Sequence, residues 1–160
     1  TLRPYRADDA EALSALALMA IRVVGAHSYS RAQVEAWASR HSGAPMYRQR
    51  AADGHAIFVA VDASNQPVAY ALLEPDGHLD RLYNHPDHTR QGLATRLLAR
   101  AEAHAASLGL ERLYTEASEL ARPAFERAGY TVIKRRDFTI EGPDGAAVAI
   151  HNYAMEKWLS

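Results

Sequence analysis

The chain has 160 residues, 48% of them hydrophobic, which suits a single domain, 1–160, with a sizeable core. It has no cysteine, which excludes disulfides, thiolate catalysis and cysteine metal sites. Eighteen basic residues against nineteen acidic ones provide no net field for nucleic acid or an anionic membrane, so neither is an expected partner. No apolar stretch approaches the roughly 20 residues that span a bilayer and the N-terminus lacks a signal-peptide layout, which favours a cytoplasmic protein.

A strand and three helical segments are predicted in the first third of the chain. Apolar residues recur at helical spacing up to Gly25, and the capping box from Ser30 to Gln33 marks the next helix start. In order, the predicted elements are the strand Leu2 to Tyr5, a helix capped by Asp8 and Asp9, the loop Ala26 to Tyr29, a helix through Val34 and Trp37, and a brief helical segment after the break at Ser42 to Pro45.

Three strands are predicted next. The apolar runs Ile57 to Val61 and Val68 to Leu73 flank the turn from Ser64 to Pro67. Pro75-Asp76-Gly77 then turns the chain into a third strand, Leu79 to Asn84.

The stretch from Asp80 to Thr95 carries the strongest functional signal, because a strand runs through a short turn into a helix that opens at Gly92. The first amides of a helix lack intrahelical partners and lie at its positive end, so N–H groups from about Gln91 to Thr95 can converge on a phosphate. Gly92 permits close approach of the ligand, although a glycine that only relieves packing gives the same pattern. Thr89 is predicted to cap this helix and Gly109 to end it.

The C-terminal part is predicted to alternate and then close with a strand pair. Its elements are the strand Arg112 to Ala117, a helix from Ser118 to Ala128 ended by Gly129, and the strands Tyr130 to Ile140 and Val148 to Lys157 around the turn Gly142 to Gly145. The complete predicted order is β-α-α-β-β-β-α-β-α-β-β.

Charged residues in the predicted central strands need partners, because an ion removed from water is costly unless it is paired. Glu74, Asp80, Arg81 and Glu116 are such residues. One interpretation is a buried ion-pair network centred on Arg81, which we favour for Asp80. The other is functional and suits Glu116 better, because it lies at the carboxyl end of its strand.

Two segments resemble the GNAT superfamily of N-acetyltransferases. Thr89-Arg90-Gln91-Gly92-Leu93-Ala94 is similar to the Gln/Arg-x-x-Gly-x-Gly/Ala pyrophosphate loop, and the segment from Ser118 to Tyr130 resembles the Asn-x-x-Ala-x-x-Leu-Tyr-Glu-Lys-x-Gly-Phe landmark. The predicted element order matches the family over essentially the whole chain. The resemblance implies an α/β (α+β) fold with a mixed, mostly antiparallel sheet whose fourth and fifth strands splay apart.

The family's co-substrate, acetyl-CoA, is expected in this split. The resemblance places its pantetheine arm against backbone groups of Leu82, Tyr83 and Asn84, as an added strand. The residues implied for the pyrophosphate are Arg90, Gln91, Gly92, Leu93, Ala94 and Thr95. Thr89 stands at the family's Gln/Arg position, so the usual long side chain is absent and Arg90 is a candidate substitute.

The chemistry implied is direct attack of a primary amine on the thioester, and each role has a candidate. The Leu82 amide is placed to polarise the carbonyl, and Glu116 to collect the amine's proton or hold its charge. His78 is an alternative base as a neutral imidazole, although a solvated turn residue explains it as well. Phe125 replaces the tyrosine that usually protonates the leaving sulfur, which leaves water or the Ser118 hydroxyl, unless Ser118 only caps the next helix.

The acceptor pocket in this fold is formed largely by the loop between the first two helices and the last hairpin. The candidate substrate-binding residues are Tyr29, His27, Trp37 and Glu74, since aromatic walls and a carboxylate suit an amine. We expect a small-molecule or amino-acid-like amine, no metal at the adjacent donors from His85 to His88, and consider a homodimer. The alternative is a non-catalytic acyl-CoA-binding or sensing module of the same fold.

Overall fold

The computed structural model describes residues 1–41 and 43–159, so Ser42, the first residue of the predicted break, lies outside the described residues. The helices are α1 (Ala10–Val23), α2 (Arg31–Ser39), α3 (Ala44–Ala52), α4 (Leu93–Ser107) and α5 (Arg122–Arg127). The strands are β1 (Leu2–Pro4), β2 (Ala56–Val61), β3 (Pro67–Leu73), β4 (Leu79–Asn84), β5 (Arg112–Ala117), β6 (Thr131–Glu141) and β7 (Ala147–Trp158).

The strands form two sheets that lie side by side. The first has the order β1-β2-β3-β4 and the second the order β5-β7-β6, and all pairs within them are antiparallel. An isolated parallel bridge between His78 and Tyr114 joins β4 to β5. The predicted mixed, mostly antiparallel sheet flanked by helices is therefore confirmed.

Among the described residues, β4 and β5 are joined near the start of β4 and the middle of β5. The carbonyl of Gly77 accepts a hydrogen bond from the Tyr114 amide at 3.1 Å, and the carbonyl of Leu79 accepts one from Thr115 Oγ1 at 2.7 Å. The register of β3 and β4 shifts between Leu72 and Leu73, and such a bulge bends a strand. Beyond it β4 and β5 separate, which opens a gap between the sheets.

The register also decides which backbone groups of β4 face this gap. The His85 amide donates to the Val68 carbonyl, so alternation along an antiparallel pair directs the N–H and C=O of Tyr83 toward β3 as well. The backbone groups of Leu82 and Asn84 then point into the gap. The expectation for Leu82 and Asn84 agrees with this register, whereas the backbone of Tyr83 is used within the sheet.

Alternating side chains of β2 and β3 divide the core between the two faces of the first sheet. One face packs on α1 and α3, with Tyr47, Val59 and Tyr70 buried there. The other face packs on α4 through Leu93 and Leu97. Successive side chains of a strand point to opposite faces, which explains this division. Because β4 pairs with β3, it lies in the same sheet between these helices.

One helical stretch, Ala7–His27, is long and apolar enough to cross a membrane by length and composition. This corrects the expectation that no such stretch exists. Its residues Leu13, Leu16, Ala17 and Ile21 are buried in the core, as in the core helix of a globular protein. The stretch is therefore weak evidence for a membrane span.

The starts of three predicted helices differ in detail from the structure. Asp9 holds the capping position of α1 as predicted, but its carboxylate binds Arg3 and the Arg6 amide, and Asp8 lies in the short 3-10 turn before the helix. Thr89 does not cap α4, because Gly92 holds the capping position and the Thr89 hydroxyl donates to the Pro86 carbonyl. The α5 helix begins at Arg122 rather than Ser118.

Gly77 is required where the two sheets join. Its φ is +102°, and a Cβ built there would overlap the carbonyl oxygen of Arg112. We expect Gly77→Ala to lower the free energy of unfolding by at least about 2 kcal/mol. The matched control is Gly54→Ala, with a φ of +88° and nothing within 4 Å of its Cβ, which should cost about 1 kcal/mol. Equal losses in chemical denaturation would contradict a close-approach role for Gly77.

Candidate functional site

The turn before α4 has the backbone shape of an anion-binding loop. Arg90 and Gly92 both adopt left-handed conformations, with φ of +63° and +75°. The Arg96 amide is the one that bonds back to the Gly92 carbonyl, at 3.1 Å, so the amides of Leu93, Ala94 and Thr95 precede the first helical hydrogen bond. Nothing lies within 4 Å of a Cβ built on Gly92, which leaves open space for a phosphate at the positive end of the helix.

A narrow cavity of about 60 Å³ occupies the gap between β4 and β5. Its walls include Leu82 from β4, Thr115 from β5, and Ser118 and Phe125 from the segment that follows β5. The Phe125 ring is 2% exposed and packs edge-on against Tyr130, with ring centroids 5.0 Å apart. Phe125 thus forms an apolar wall of the gap at the position where the resemblance implied a hydroxyl donor.

A larger cavity of about 320 Å³ adjoins the gap, and the two share wall residues from both sheets. It is bounded by α2, by β4 and β5, and by the β6–β7 hairpin. Its lining residues are Tyr29, Trp37, Arg40, His41, Asp80, Arg81, Tyr83, Glu116, Ser118, Phe138, Ile140, Ile150, His151 and Asn152.

The predicted acceptor residues divide into two pairs. Tyr29 and Trp37 line the larger cavity and pack edge to face with ring centroids 5.8 Å apart. His27 is exposed and is not a lining residue, because it lies in a short 3-10 turn after α1. Glu74 is also outside the lining, because it precedes the turn and binds Arg50 and His78. Of the four predicted acceptor residues, two therefore line this cavity and two lie outside it.

His78 lies between two carboxylates at the junction of the sheets. Its Nδ1 contacts Glu74, its Nε2 lies 2.9 Å from Glu116 Oε1, and its ring stacks on Tyr114. Burial opposes the charged form, but the hydrogen bonds to Glu116 and Glu74 outweigh it and raise the pKa of His78 to about 9. The side chain is 15% exposed, so it is not the solvated turn residue considered above, and its raised pKa favours the imidazolium over the neutral base near pH 7.

The same contact acts on Glu116. The hydrogen bond from His78 outweighs burial and lowers the pKa of the Glu116 carboxyl, so it is ionised at neutral pH. This hydrogen bond engages Oε1, and the side chain remains 35% exposed at the cavity wall. An anionic oxygen is thereby available to a cationic group in the cavity.

The ion-pair network of the central strands is centred on Arg50, not on Arg81. Arg50 lies 3.1 Å from Glu74 and 2.6 Å from Asp80. Glu116 pairs with His78, so its interpretation as a partner of Arg81 is wrong. Ligand atoms of Glu74, His78 and Asp80 lie within 4.8 Å of one another, and the Arg50 guanidinium already supplies positive charge to the two carboxylates.

The Ser118 hydroxyl accepts a hydrogen bond from the Ala121 amide at 3.1 Å. It therefore stabilises the turn before α5, and it also lines both cavities. A hydroxyl accepts and donates at once, so the turn contact leaves its proton free to act in the gap. The capping and donor interpretations of Ser118 are compatible.

Sequence reasoning missed a hydrogen-bonded cluster around one carboxylate, Glu119, beside the larger cavity. Glu119 accepts from His151 Nε2 at 2.6 Å and from the Tyr153 hydroxyl at 2.9 Å. The Tyr29 hydroxyl links the backbone of Glu119 to β7, because it accepts from the Glu119 amide and donates to the His151 carbonyl. The alternation of His151 and Tyr153 along β7 was an available signal that both lie on one face.

Titration of His78 should appear in the stability of the protein. Its folded pKa of about 9 exceeds the ordinary value of about 6.5, so its stabilising contribution is complete below about pH 6.5 and is lost as pH rises through 9. We expect the melting-temperature advantage of wild type over His78→Gln to be largest near pH 6 and smallest near pH 10. An advantage that stays constant across this range would contradict the charged pair.

Comparison with known proteins matches the chain to one family over most of its length. The model of the acetyltransferase (GNAT) domain family matches residues 25–142. The Uncharacterized N-acetyltransferase YafP of Escherichia coli strain K12 is 26% identical over 144 residues, which cover 88% of this chain and 87% of that protein.

Solved structures agree with this match. A GCN5-related N-acetyltransferase from Rhodopseudomonas palustris superposes with a TM-score of 0.84 and 32% identity, over 99% of this chain and 95% of that one. The PaiA N-acetyltransferase of Thermoplasma acidophilum, solved in complex with coenzyme A, has a TM-score of 0.75 and 18% identity, over 99% and 98% of the two chains. The second likeness concerns the fold alone.

Proposed function

Because this chain belongs to the GNAT superfamily of N-acetyltransferases, we propose that it transfers the acetyl group of acetyl-CoA to a primary amine of a small or amino-acid-like molecule. The observation that carries this proposal is that the two cavities are neighbours and share Glu116 and Ser118 in their walls. The gap accommodates a thioester and the larger cavity an amine. An amine in the larger cavity can attack a thioester in the gap directly, without a covalent enzyme intermediate.

The backbone of β4 supports the cofactor part of the proposal. In this proposal the pantetheine arm pairs with the gap-facing groups of Leu82 and Asn84, and the pyrophosphate lies on the amides from Arg90 to Thr95. The Leu82 amide donates to the thioester oxygen as negative charge develops there. The Oδ1 atom of Asn84 is buried without a hydrogen-bond partner among the described residues, so an arriving donor would satisfy it.

Glu116 is the proposed partner of the amine. Its carboxylate attracts the ammonium form into the cavity and accepts a proton as the amine becomes nucleophilic. His78 is then a positioning residue, since its imidazolium fixes one Glu116 oxygen and keeps the carboxyl ionised. The amine attacks the carbonyl carbon, the C–S bond breaks, and coenzyme A leaves as a thiolate that is protonated by water or Ser118.

The test is acetyl-CoA-dependent transfer to a library of primary amines, with release of free thiol and mass spectrometry of the acetylated product as readouts. Thiol release that requires an amine supports the proposal. Binding of acetyl-CoA without transfer to any amine would favour the alternative, a non-catalytic acyl-CoA-binding module.

The leaving-group role of Ser118 predicts a separation of kinetic parameters. Ser118→Ala should lower turnover more than acetyl-CoA affinity, with about 1 kcal/mol lost from the turn it stabilises. Phe125→Tyr should keep or raise turnover, because it places a hydroxyl in the wall of the gap. Steady-state kinetics and calorimetry measure both, and unchanged turnover in Ser118→Ala would remove Ser118 as a donor.

The remaining parts of the proposal concern the protein as a whole. We infer one domain over residues 1–160 and a cytoplasmic location, and we retain a homodimer as a proposal. The proposed chemistry needs no metal, since an amine, a carboxylate and a backbone amide supply each role.

A further inference from the structure

We propose that the acceptor is an amine that also carries a carboxylate and an apolar side chain, and that Arg81 binds this carboxylate. The inference rests on the proposed function, because it names the acceptor of the same cavity. It is carried by the surroundings of Arg81, by the opposite charge of Glu116 and by the apolar part of the cavity wall.

Arg81 holds a guanidinium in the wall of the larger cavity with only 17% of its side chain exposed. Its Nη1 lies 2.8 Å from His41 Nε2 and 3.5 Å from the Tyr47 hydroxyl. Burial and the Arg81 charge lower the pKa of His41 to about 4, so this imidazole is neutral at pH 7. The Tyr47 ring, 5.7 Å away, adds a cation–π attraction but no counter-charge.

The nearest carboxylate is already engaged elsewhere. Asp80 Oδ2 lies 3.7 Å from Arg81 Nε but 2.6 Å from Arg50 Nη2, so its charge is shared with the stronger partner. A mostly buried cation whose hydrogen bonds go to neutral groups is costly. Its planar fork binds a carboxylate in bidentate fashion, which identifies a ligand that would relieve this cost.

The same cavity also presents the opposite charge. Arg81 comes from β4 and Glu116 from β5, the two strands that separate at the gap. The ionised Glu116 suits an ammonium, and Arg81 suits a carboxylate. A molecule that carries both groups matches both walls, which a simple amine does not.

The rest of the wall selects an apolar side chain. Trp37, Phe138, Ile140 and Ile150 line the cavity from α2 and the last hairpin. The volume of about 320 Å³ is at the small end of the range for ligand pockets, which favours a free amino-acid-sized molecule. Arg40 at the end of α2 is an exposed second cation in the lining and a further candidate for the carboxylate.

The first experiment compares matched acceptors on the wild-type enzyme. L-leucine and L-phenylalanine are each paired with their amides, which keep the amine and side chain and remove the carboxylate charge. We expect KM of each acid to be at least about tenfold below that of its amide. The amides also resemble the first residue of a peptide, so equal or lower KM for the amides would overturn the proposal in favour of a peptide N-terminus.

The second experiment changes the protein. Arg81→Gln should raise KM for the acids at least about tenfold and leave KM for the amides within about twofold. The exposed Arg100 on α4 provides the matched control Arg100→Gln, which should change neither. Equal increases for acids and amides would show a structural role and overturn the proposal. Arg81→Lys, which keeps the charge and loses the fork, serves if the glutamine variant does not fold and should raise KM for the acids selectively.

A binding measurement separates failure of this inference from failure of the proposed function. Calorimetry on the enzyme saturated with coenzyme A reports acceptor binding without transfer. Tighter binding of the acids than of the amides, with no acetylated product, would support the carboxylate site and refute the transferase proposal. Transfer to the amides that is as efficient as transfer to the acids would refute the carboxylate site and support the transferase proposal. If neither the acids nor the amides bind, the carboxylate site is overturned.

Discussion

Gly92→Asp should reduce the affinity for coenzyme A by at least about tenfold, because it places a carboxylate against the pyrophosphate at the start of α4. The position tolerates the change structurally, since nothing lies within 4 Å of the added Cβ and aspartate adopts the left-handed conformation more readily than most residues. The loss is therefore expected in binding rather than in folding. Isothermal calorimetry with coenzyme A, beside thermal unfolding of the same protein, measures both.

Gly92→Asn is the matched control for this prediction. Asparagine has nearly the same size and the same tolerance of positive φ, but it carries no charge. It should retain most of the affinity that Gly92→Asp loses. If both variants bind coenzyme A like wild type, the amides from Leu93 to Thr95 are not the pyrophosphate site.

Glu116→Gln should lower turnover with the identified amine by roughly a hundredfold, because it removes the proposed proton acceptor while keeping the size of the side chain. The affinity for acetyl-CoA should hardly change. The alkaline rise in rate that accompanies amine deprotonation should persist at lower amplitude. Steady-state kinetics from pH 6 to 9.5 and calorimetry provide these readouts.

Glu74→Gln separates chemistry from the support of His78. Glu74 and Glu116 contact the two nitrogens of the same imidazole, but only Glu116 lines the cavity. Both variants should lower the pKa of His78 and the melting temperature, whereas the large loss of turnover should be specific to Glu116→Gln. Similar turnover in the two variants would assign Glu116 a structural role alone.

The strands and the order of elements could be predicted because their signals are local. The apolar runs of β2 and β3, and the helical stripe of α4, each lie within one segment. The start of α5 was misjudged although a signal existed. Pro123 stands in the first turn of the helix, where its missing N–H is no loss, and this places the start at Arg122.

The charges of the site could not be assigned from sequence, because their partners come from distant elements. Arg50 reaches Glu74 and Asp80 across 24 and 30 residues of chain, and no local pattern predicts that it displaces Arg81 as the centre. The orientation of the Tyr83 backbone depends on a bulge near Leu73 that has no sequence signature. The position of these charges in predicted central strands therefore indicated that they are paired, but not with which residue.

The junction of the two sheets has a consequence for motion. Hydrogen bonds at Gly77 and Leu79 join β4 to β5 at one end, and beyond them the two strands have no hydrogen bond to each other among the described residues. A cofactor arm that bonds to β4 while packing against β5 would hold the unpaired parts of both strands. Amide exchange at the open ends of both strands should then slow together when coenzyme A is added, although they lie on different sheets.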